Sequence, residues 1–161
     1  MTVFQEAEML HQVPFFAKVD MAKLKLVAFT SRAVRFAPGE PLMVKHEPSD
    51  AAYVILEGEV EVMGETSAGE FVVMVIGPHS LVGEMSLLLD SPRVATVRAK
   101  GPVRALRIAA DAFLRLLCEN PGCSLHVMRV LSSHLAKSTR RVEQLTQKLQ
   151  EATPGNGDAV T

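Results

Sequence analysis

Three kinds of hydrophobic patterning follow one another along the chain. Between Met21 and Phe29 the apolar residues Met21, Leu24, Val27 and Ala28 recur at helical spacing, which predicts a short amphipathic helix. From Val34 onward the pattern changes to short aliphatic and β-branched runs. Turn chemistry at Pro38-Gly39, Pro48-Ser49, Glu57-Gly58, Ser67-Ala68-Gly69, Gly77-Pro78 and Gly101-Pro102 separates them. The punctuation predicts strands over Ala51–Leu56, Glu59–Met63, Phe71–Ile76, Val94–Ala99 and Val103–Ile108, with briefer ones near Arg35 and Leu42. Many short strands with regular turns predict a sandwich, barrel or jelly roll.

The last third returns to helical periodicity. Asp111 is a good N-cap for a helix through Phe113, Leu114, Leu116 and Leu117 that Pro121 stops. Asn120 can cap the next helix and Pro121 suits its first position; nothing interrupts it until about Ala152. At about 1.5 Å per residue it would run roughly 45 Å, more than a small β-domain needs for cover. Met128, Leu131, Leu135, Ser138, Val142, Leu145 and Leu149 fall at alternating steps of three and four, a heptad seam. Lys137, Arg140, Arg141, Glu143, Gln144, Gln147 and Lys148 flank it. So narrow a stripe suits a partner helix, whereas packing on the chain's own strands calls for a broader apolar face. A homodimer joined through about 121–150 is therefore expected. Strands and helices segregated in this way predict an α+β domain over 1–150. The segment 151–161, with Pro154, Gly155, Asn156, Gly157 and Asp158, is expected to be a disordered tail.

One segment carries candidate chemistry, Gly77 to Val97. Gly83 allows backbone to approach a ligand closely, and Glu84 to Leu88 predicts one helical turn whose free N–H groups face outward, an anion site. Arg93 adds a permanent positive fork able to pair with a phosphate at two points. Glu84 would repel that phosphate, so its natural role is to accept from neighbouring hydroxyls such as a ribose 2′-OH. Phosphate and sugar hydroxyl together imply a nucleotide.

With those residues in view, the sequence resembles the cyclic-nucleotide-binding domain family of bacterial catabolite activators, cyclic-AMP-dependent kinase regulatory subunits and cyclic-nucleotide-gated channels. The resemblance rests on Gly83-Glu84, the apolar turn Met85 to Leu89 and Pro92-Arg93-Val94-Ala95-Thr96-Val97. It extends to Tyr53-Val54-Ile55-Leu56-Glu57-Gly58-Glu59-Val60 and Pro38-Gly39-Glu40, and covers roughly Leu10 to Leu149. It implies a β-roll, a jelly-roll-like double-stranded β-helix, with N-terminal helices and a long C-terminal helix. Glu84 would hold the ribose 2′-OH, Arg93 the cyclic phosphate, and the backbone of Gly83, Met85 and Ala95 would complete the cradle. In the catabolite activators two adjacent hydroxyl residues of the long helix reach the adenine amino group; here they are Ser138-Thr139. The implied ligand-binding set is thus Gly83, Glu84, Met85, Ser86, Arg93, Val94, Ala95, Ser138 and Thr139, with no catalytic and no metal residues. Val82 departs from the aromatic residue common in the family. Val94 lacks the hydroxyl that members preferring cyclic GMP often place there, so cAMP is expected as ligand ahead of cGMP.

Composition trims the alternatives. Of 161 residues, 48% are hydrophobic and 22% charged, which suits an ordinary globular domain. A formal net charge of −1 supplies no basic field for nucleic acid or an anionic membrane, so neither partner is expected. The N-terminus lacks a signal-peptide pattern, and no window is long enough to span a membrane. Cys118 and Cys123, beside Pro121, read as two reduced, buried thiols, and a cytoplasmic setting follows. A cupin-type enzyme would need clustered ligands, but His11, His46, His79, His126 and His134 are scattered, so no enzymatic role is expected. About ten residues follow the long helix before Thr161, too few for the helix-turn-helix domain found there in catabolite activators. Output through an unknown effector protein is therefore expected. The alternative is the sensor portion of a catabolite-activator-type transcription regulator or other multidomain protein.

Overall fold

Two four-stranded antiparallel sheets make up the β-rich middle of the chain in a computed structural model that describes residues 2–153. In chain order the elements are α1 (Val3–His11), a 3₁₀ turn (Pro14–Phe16), α2 (Met21–Thr30), β1 (Arg32–Phe36), β2 (Pro41–Met43), β3 (Ala51–Glu57), β4 (Val60–Thr66) and β5 (Gly69–Ile76). Then follow β6 (Leu81–Val82), α3 (Glu84–Leu89), β7 (Thr96–Ala99), β8 (Val103–Ala109), α4 (Ala110–Glu119) and α5 (Pro121–Ala152). One sheet has the order β1-β8-β3-β6 and the other β2-β7-β4-β5. This is the expected β-roll, with helices before and after it.

Strand β3 explains why the roll closes. Every residue from Ala51 to Leu56 is buried, so the strand is covered on both faces. Ala51, Tyr53 and Ile55 enter the core shared with Val60, Val82, Val97 and Ala105, and the Tyr53 ring stands edge-on to Phe36 at 6.0 Å. The alternate residues Ala52, Val54 and Leu56 face outward, on the side where α4 packs on β3 and β8. Strand β5 is the contrast: it lies at a sheet edge, and Phe71 to Val75 are all exposed.

Several boundaries differ from expectation for local reasons. The N-terminal helices that the resemblance implies include α1, which the hydrophobic pattern does not mark; a capping box between Thr2 and Gln5 starts it. Strand β7 begins at Thr96 rather than Val94, because the chain just before it is bonded to a loop instead of a strand: Arg93 N–H donates to Glu47 O and Arg93 O accepts from His46 N. Helix α4 starts at Ala110, since β8 runs straight into it and Ala110 N–H donates to Asp50 O. Asp111 lies in its first turn, and its carboxylate accepts from Ala112 N–H. Asn120 does precede α5, but its side-chain amide donates back to Leu116 O instead of capping forward. Cys123 is buried, its thiol directed at Phe15 O and its pKa pushed up to about 11 by burial, whereas Cys118 is exposed, not buried. No disulfide joins them.

By its internal contacts the chain divides at Ser124/Leu125 into two compact units. The second contains α5 from Leu125 onward. Its seam residues Met128, Leu131, Leu135, Val142, Leu145 and Leu149 are all exposed. Helix α5 ends at Ala152, and the expected tail lies, from residue 154 on, outside the described residues. No helix among the described residues is long and apolar enough to cross a membrane.

Candidate functional site

The site is built on a left-handed turn. Strand β6 pairs with β3, setting Val82 opposite Tyr53, and the next residue, Gly83, takes φ 84° as it enters α3. Only glycine fits. A Cβ there would lie 2.8 Å from both Arg93 Nη1 and the Met43 methyl, besides the strain of positive φ. Asp90 closes the helix, again left-handed, and Ser91 N–H donates to Ser86 O. The chain then reaches Arg93 with Ser86 and Leu87 buried beneath it.

Arg93 is only 4% exposed. Its Nη1 donates to Gly83 O at 3.0 Å and to Ser86 Oγ at 3.2 Å, while its Nη2 donates to Ala51 O at 2.6 Å and to Asp50 Oδ1 at 3.4 Å. A guanidinium this deep is stable only because its donors are met. The expected open fork is therefore engaged internally in this structure: it ties the glycine turn to the start of β3. Asp50 serves a second cation as well, its Oδ2 accepting from Arg107 Nη2 at 2.8 Å. Partial burial opposes the charge on Arg107, but the hydrogen bond and charge of Asp50, with Tyr53, outweigh it and hold the Arg107 pKa above its ordinary value.

Glu84 lies beside this network without joining it. Among the described residues Arg93 pairs with Asp50, and no ion pair involves Glu84. Burial raises the Glu84 pKa above its ordinary 4.5, against the lowering effect of a hydrogen bond from its own backbone N–H. A half-buried carboxylate without a cation is an acceptor in want of donors. Met85 and Val94 are exposed and Ala95 is half-buried, so this stretch of backbone is approachable from outside.

Two cavities flank Arg93–Thr96. One of about 320 Å³ is lined by Met43, Glu47, Asp50, Tyr53 and Arg93, and not by Glu84. The other, of about 140 Å³, is lined by Lys45, Gly64, Glu70, Val94 and Thr96. The structure thus gathers Gly83, Glu84, Met85, Ser86, Arg93, Val94 and Ala95 into one segment of the first unit. It describes Ser138 and Thr139 in the second unit, both exposed on α5, with the Thr139 hydroxyl donating to Leu135 O at 3.0 Å.

Sequence reasoning missed Asp50, Tyr53, Arg107 and Met43. For Asp50, 43 residues from Arg93, no local signal exists. For Arg107 one does. In β8, Arg104, Leu106 and Ile108 share one face and Val103, Ala105 and Arg107 the other, so one arginine must point toward the inside of the roll.

Comparison with known proteins agrees with this architecture. Residues 33–120 match the family model described as cyclic nucleotide-binding domain. The chain is 25% identical over 139 residues to the CRP-like cAMP-activated global transcriptional regulator of Mycobacterium tuberculosis, a match covering 86% of this chain and 62% of that protein. It therefore spans about three fifths of the length of the curated relatives it matches. Among solved structures, the sensor domain of the transcriptional regulator DNR from Pseudomonas aeruginosa superposes with a TM-score of 0.77 at 24% identity, over 86% of this chain and 93% of that one. The regulatory subunit of a cAMP-independent protein kinase A from Trypanosoma brucei gives 0.69 at 27% identity, over 81% and 48%. With the family model matching more than half of its length, on the stretch that holds the glycine turn and the buried arginine, the chain belongs to the cyclic nucleotide-binding domain family.

Proposed function

We propose that this chain is a cAMP-preferring sensor without catalytic activity, which acts as a homodimer through α5 and signals to an effector protein by ligand-driven movement of its C-terminal helices. The observation that carries the reading is the half-buried, cation-free carboxylate of Glu84 placed one residue after a glycine turn backed by a buried guanidinium. Glu84 accepts the ribose 2′-OH. The cyclic phosphate draws Nη1 of Arg93 away from the neutral Ser86 hydroxyl, since an anion is the stronger acceptor. Backbone N–H groups of Gly83, Met85 and Ala95 complete the cradle, with Ser86 and the Val94 side chain beside it. Ser138 and Thr139 supply hydroxyls for the adenine amino group, which favours cAMP over cGMP.

Only a difference in affinity between two conformations can drive a signal. The phosphate rearranges α3, and α4 and α5 follow it in the chain, so movement at the turn passes to the helices. The cytoplasm is the setting this chemistry suits. A second reading, as the sensor portion of a transcription regulator, is favoured by the 62% coverage of a relative so named. Calorimetric titration with cAMP and cGMP, paired with hydrogen exchange of α5, tests the proposal. Micromolar or tighter cAMP binding with altered α5 protection is expected; binding of neither nucleotide overturns it, and identical protection removes the helix movement.

A further inference from the structure

The Asp50 carboxylate is shared unequally between two guanidiniums. Its bond to Arg107, at 2.8 Å, lies in the charge-assisted range, whereas its contact with Arg93, at 3.4 Å, is longer than an ordinary N–H···O bond. Strand register fixes this arrangement. Arg107 stands directly opposite Tyr53 on β3 and opposite Arg32 on β1, so one row across the sheet reads Arg32, Arg107, Tyr53, Val82, and ends beside Gly83. Tyr53, held against Phe36, also helps to hold Arg107. Like charges directly opposed across a sheet destabilise each other, which gives Arg107 a further reason to keep hold of the carboxylate.

We propose that Arg107 is a positioning residue for nucleotide affinity: by drawing Asp50 toward itself it prevents that carboxylate from closing on Arg93, and so leaves the Arg93 charge available to a phosphate. This rests on the nucleotide reading above. The Asp50 side chain is 66% exposed, so packing does not hold it in place once Arg107 is removed, while Arg93 is locked by Gly83 and Ala51. Once Arg107 is gone, Asp50 forms a full ion pair with Arg93, and an incoming phosphate has to break it. Glu47 also lines the Arg93 cavity but makes no ion pair among the described residues, so Asp50 is the carboxylate through which Arg107 acts.

Titration calorimetry with cAMP on the full chain tests this, using Arg107→Gln, Arg107→Lys, Asp50→Asn and the Asp50→Asn/Arg107→Gln double variant. Arg107→Gln is expected to weaken cAMP about tenfold, the scale of one charge-assisted hydrogen bond. Arg107→Lys, which keeps the charge but loses the fork, should fall only about two- to threefold. In the Asp50→Asn background Arg107→Gln should change affinity by less than about twofold, because no carboxylate remains to be released. Should Arg107→Gln unfold, Arg107→Lys with and without Asp50→Asn carries the same comparison. Wild-type affinity in Arg107→Gln, or an undiminished loss in the Asp50→Asn background, overturns the positioning role while leaving the nucleotide reading intact. Failure of the wild type to bind cAMP or cGMP overturns both.

Discussion

The turn from Gly83 to Arg93 and the helix α5 break the ordinary rule of burial in opposite senses. The turn takes a guanidinium to 4% exposure and half-buries a carboxylate, whereas α5 leaves Leu135, Val142, Leu145 and Leu149 exposed at between 51% and 70%. Buried charge and exposed aliphatic surface are both costly, and each implies that something is missing from the isolated chain. The chemistry says what. A carboxylate without a cation asks for hydroxyl donors, and a heptad stripe asks for a second stripe. On the proposed reading the two regions differ in who completes them: a small polar ligand for one, a second copy of the chain for the other.

Removing Arg93 strikes the first region hardest. Arg93→Ala deletes the side chain that donates to both Gly83 O and Ala51 O, and with it the positive charge. A charge-assisted bond to a phosphate contributes about 1.5–3 kcal/mol, so cAMP affinity should fall about tenfold or more by calorimetry. Loss of the Arg93 bonds to Gly83 O and Ala51 O should also cost about 1–3 kcal/mol in urea unfolding. Unchanged affinity would show that the buried guanidinium serves the fold alone, and the contrast between the regions would lose one side.

The second region is broken without touching the first. Leu135→Asp with Leu145→Asp places two charges in the proposed seam, where like charges from two copies would meet in a desolvated environment. Sedimentation should show a dimer for the wild type at micromolar concentration and a monomer for the variant, with the unfolding of the β-roll unit little changed. A monomeric wild type would mean that α5 is completed by some other surface.

How much of this was legible in the sequence depends on whether the cause was local. The turn from Gly83 to Arg93, β3 and α5 were readable because a glycine turn, an unbroken buried run and a heptad are written into consecutive positions. Helix α1 was equally local: Thr2 and Gln5 spell a capping box, and the signal went unread. The start of β7 was not local, because its limit is set by the exchange of hydrogen bonds between Arg93 and the loop, Arg93 N–H donating to Glu47 O and His46 N–H to Arg93 O. The same holds for Asp50, whose pairing with Arg93 and Arg107 exists only once the loops before β3 and β7 meet strand β8. The sequence named the groups proposed to meet a ligand, and tertiary structure named those that hold them in place.

The smallest expected effect concerns pH, and it separates binding from folding by sign. Burial raises the Glu84 pKa above 4.5, so the ligand-free folded protein takes up a proton more readily than the unfolded chain does. Between 4.5 and that raised value the folded state binds more protons, and the contribution of Glu84 to stability is therefore most favourable at low pH and declines as pH rises through the window. Binding runs the other way, because a ribose hydroxyl needs the ionised carboxylate as acceptor. Below the raised pKa, cAMP affinity should weaken by up to about tenfold per pH unit, with one proton released on binding. Glu84→Gln removes the ionisation and should flatten both trends at once: its melting temperature without ligand should exceed that of the wild type at neutral pH, and its weakened cAMP binding should no longer depend on acidification through this window. Thermal melts and calorimetry across pH 4 to 8 measure the two. If acidification weakens Glu84→Gln as steeply as the wild type, another group accepts the ligand's hydroxyl, and the half-buried carboxylate is completed by something other than a sugar.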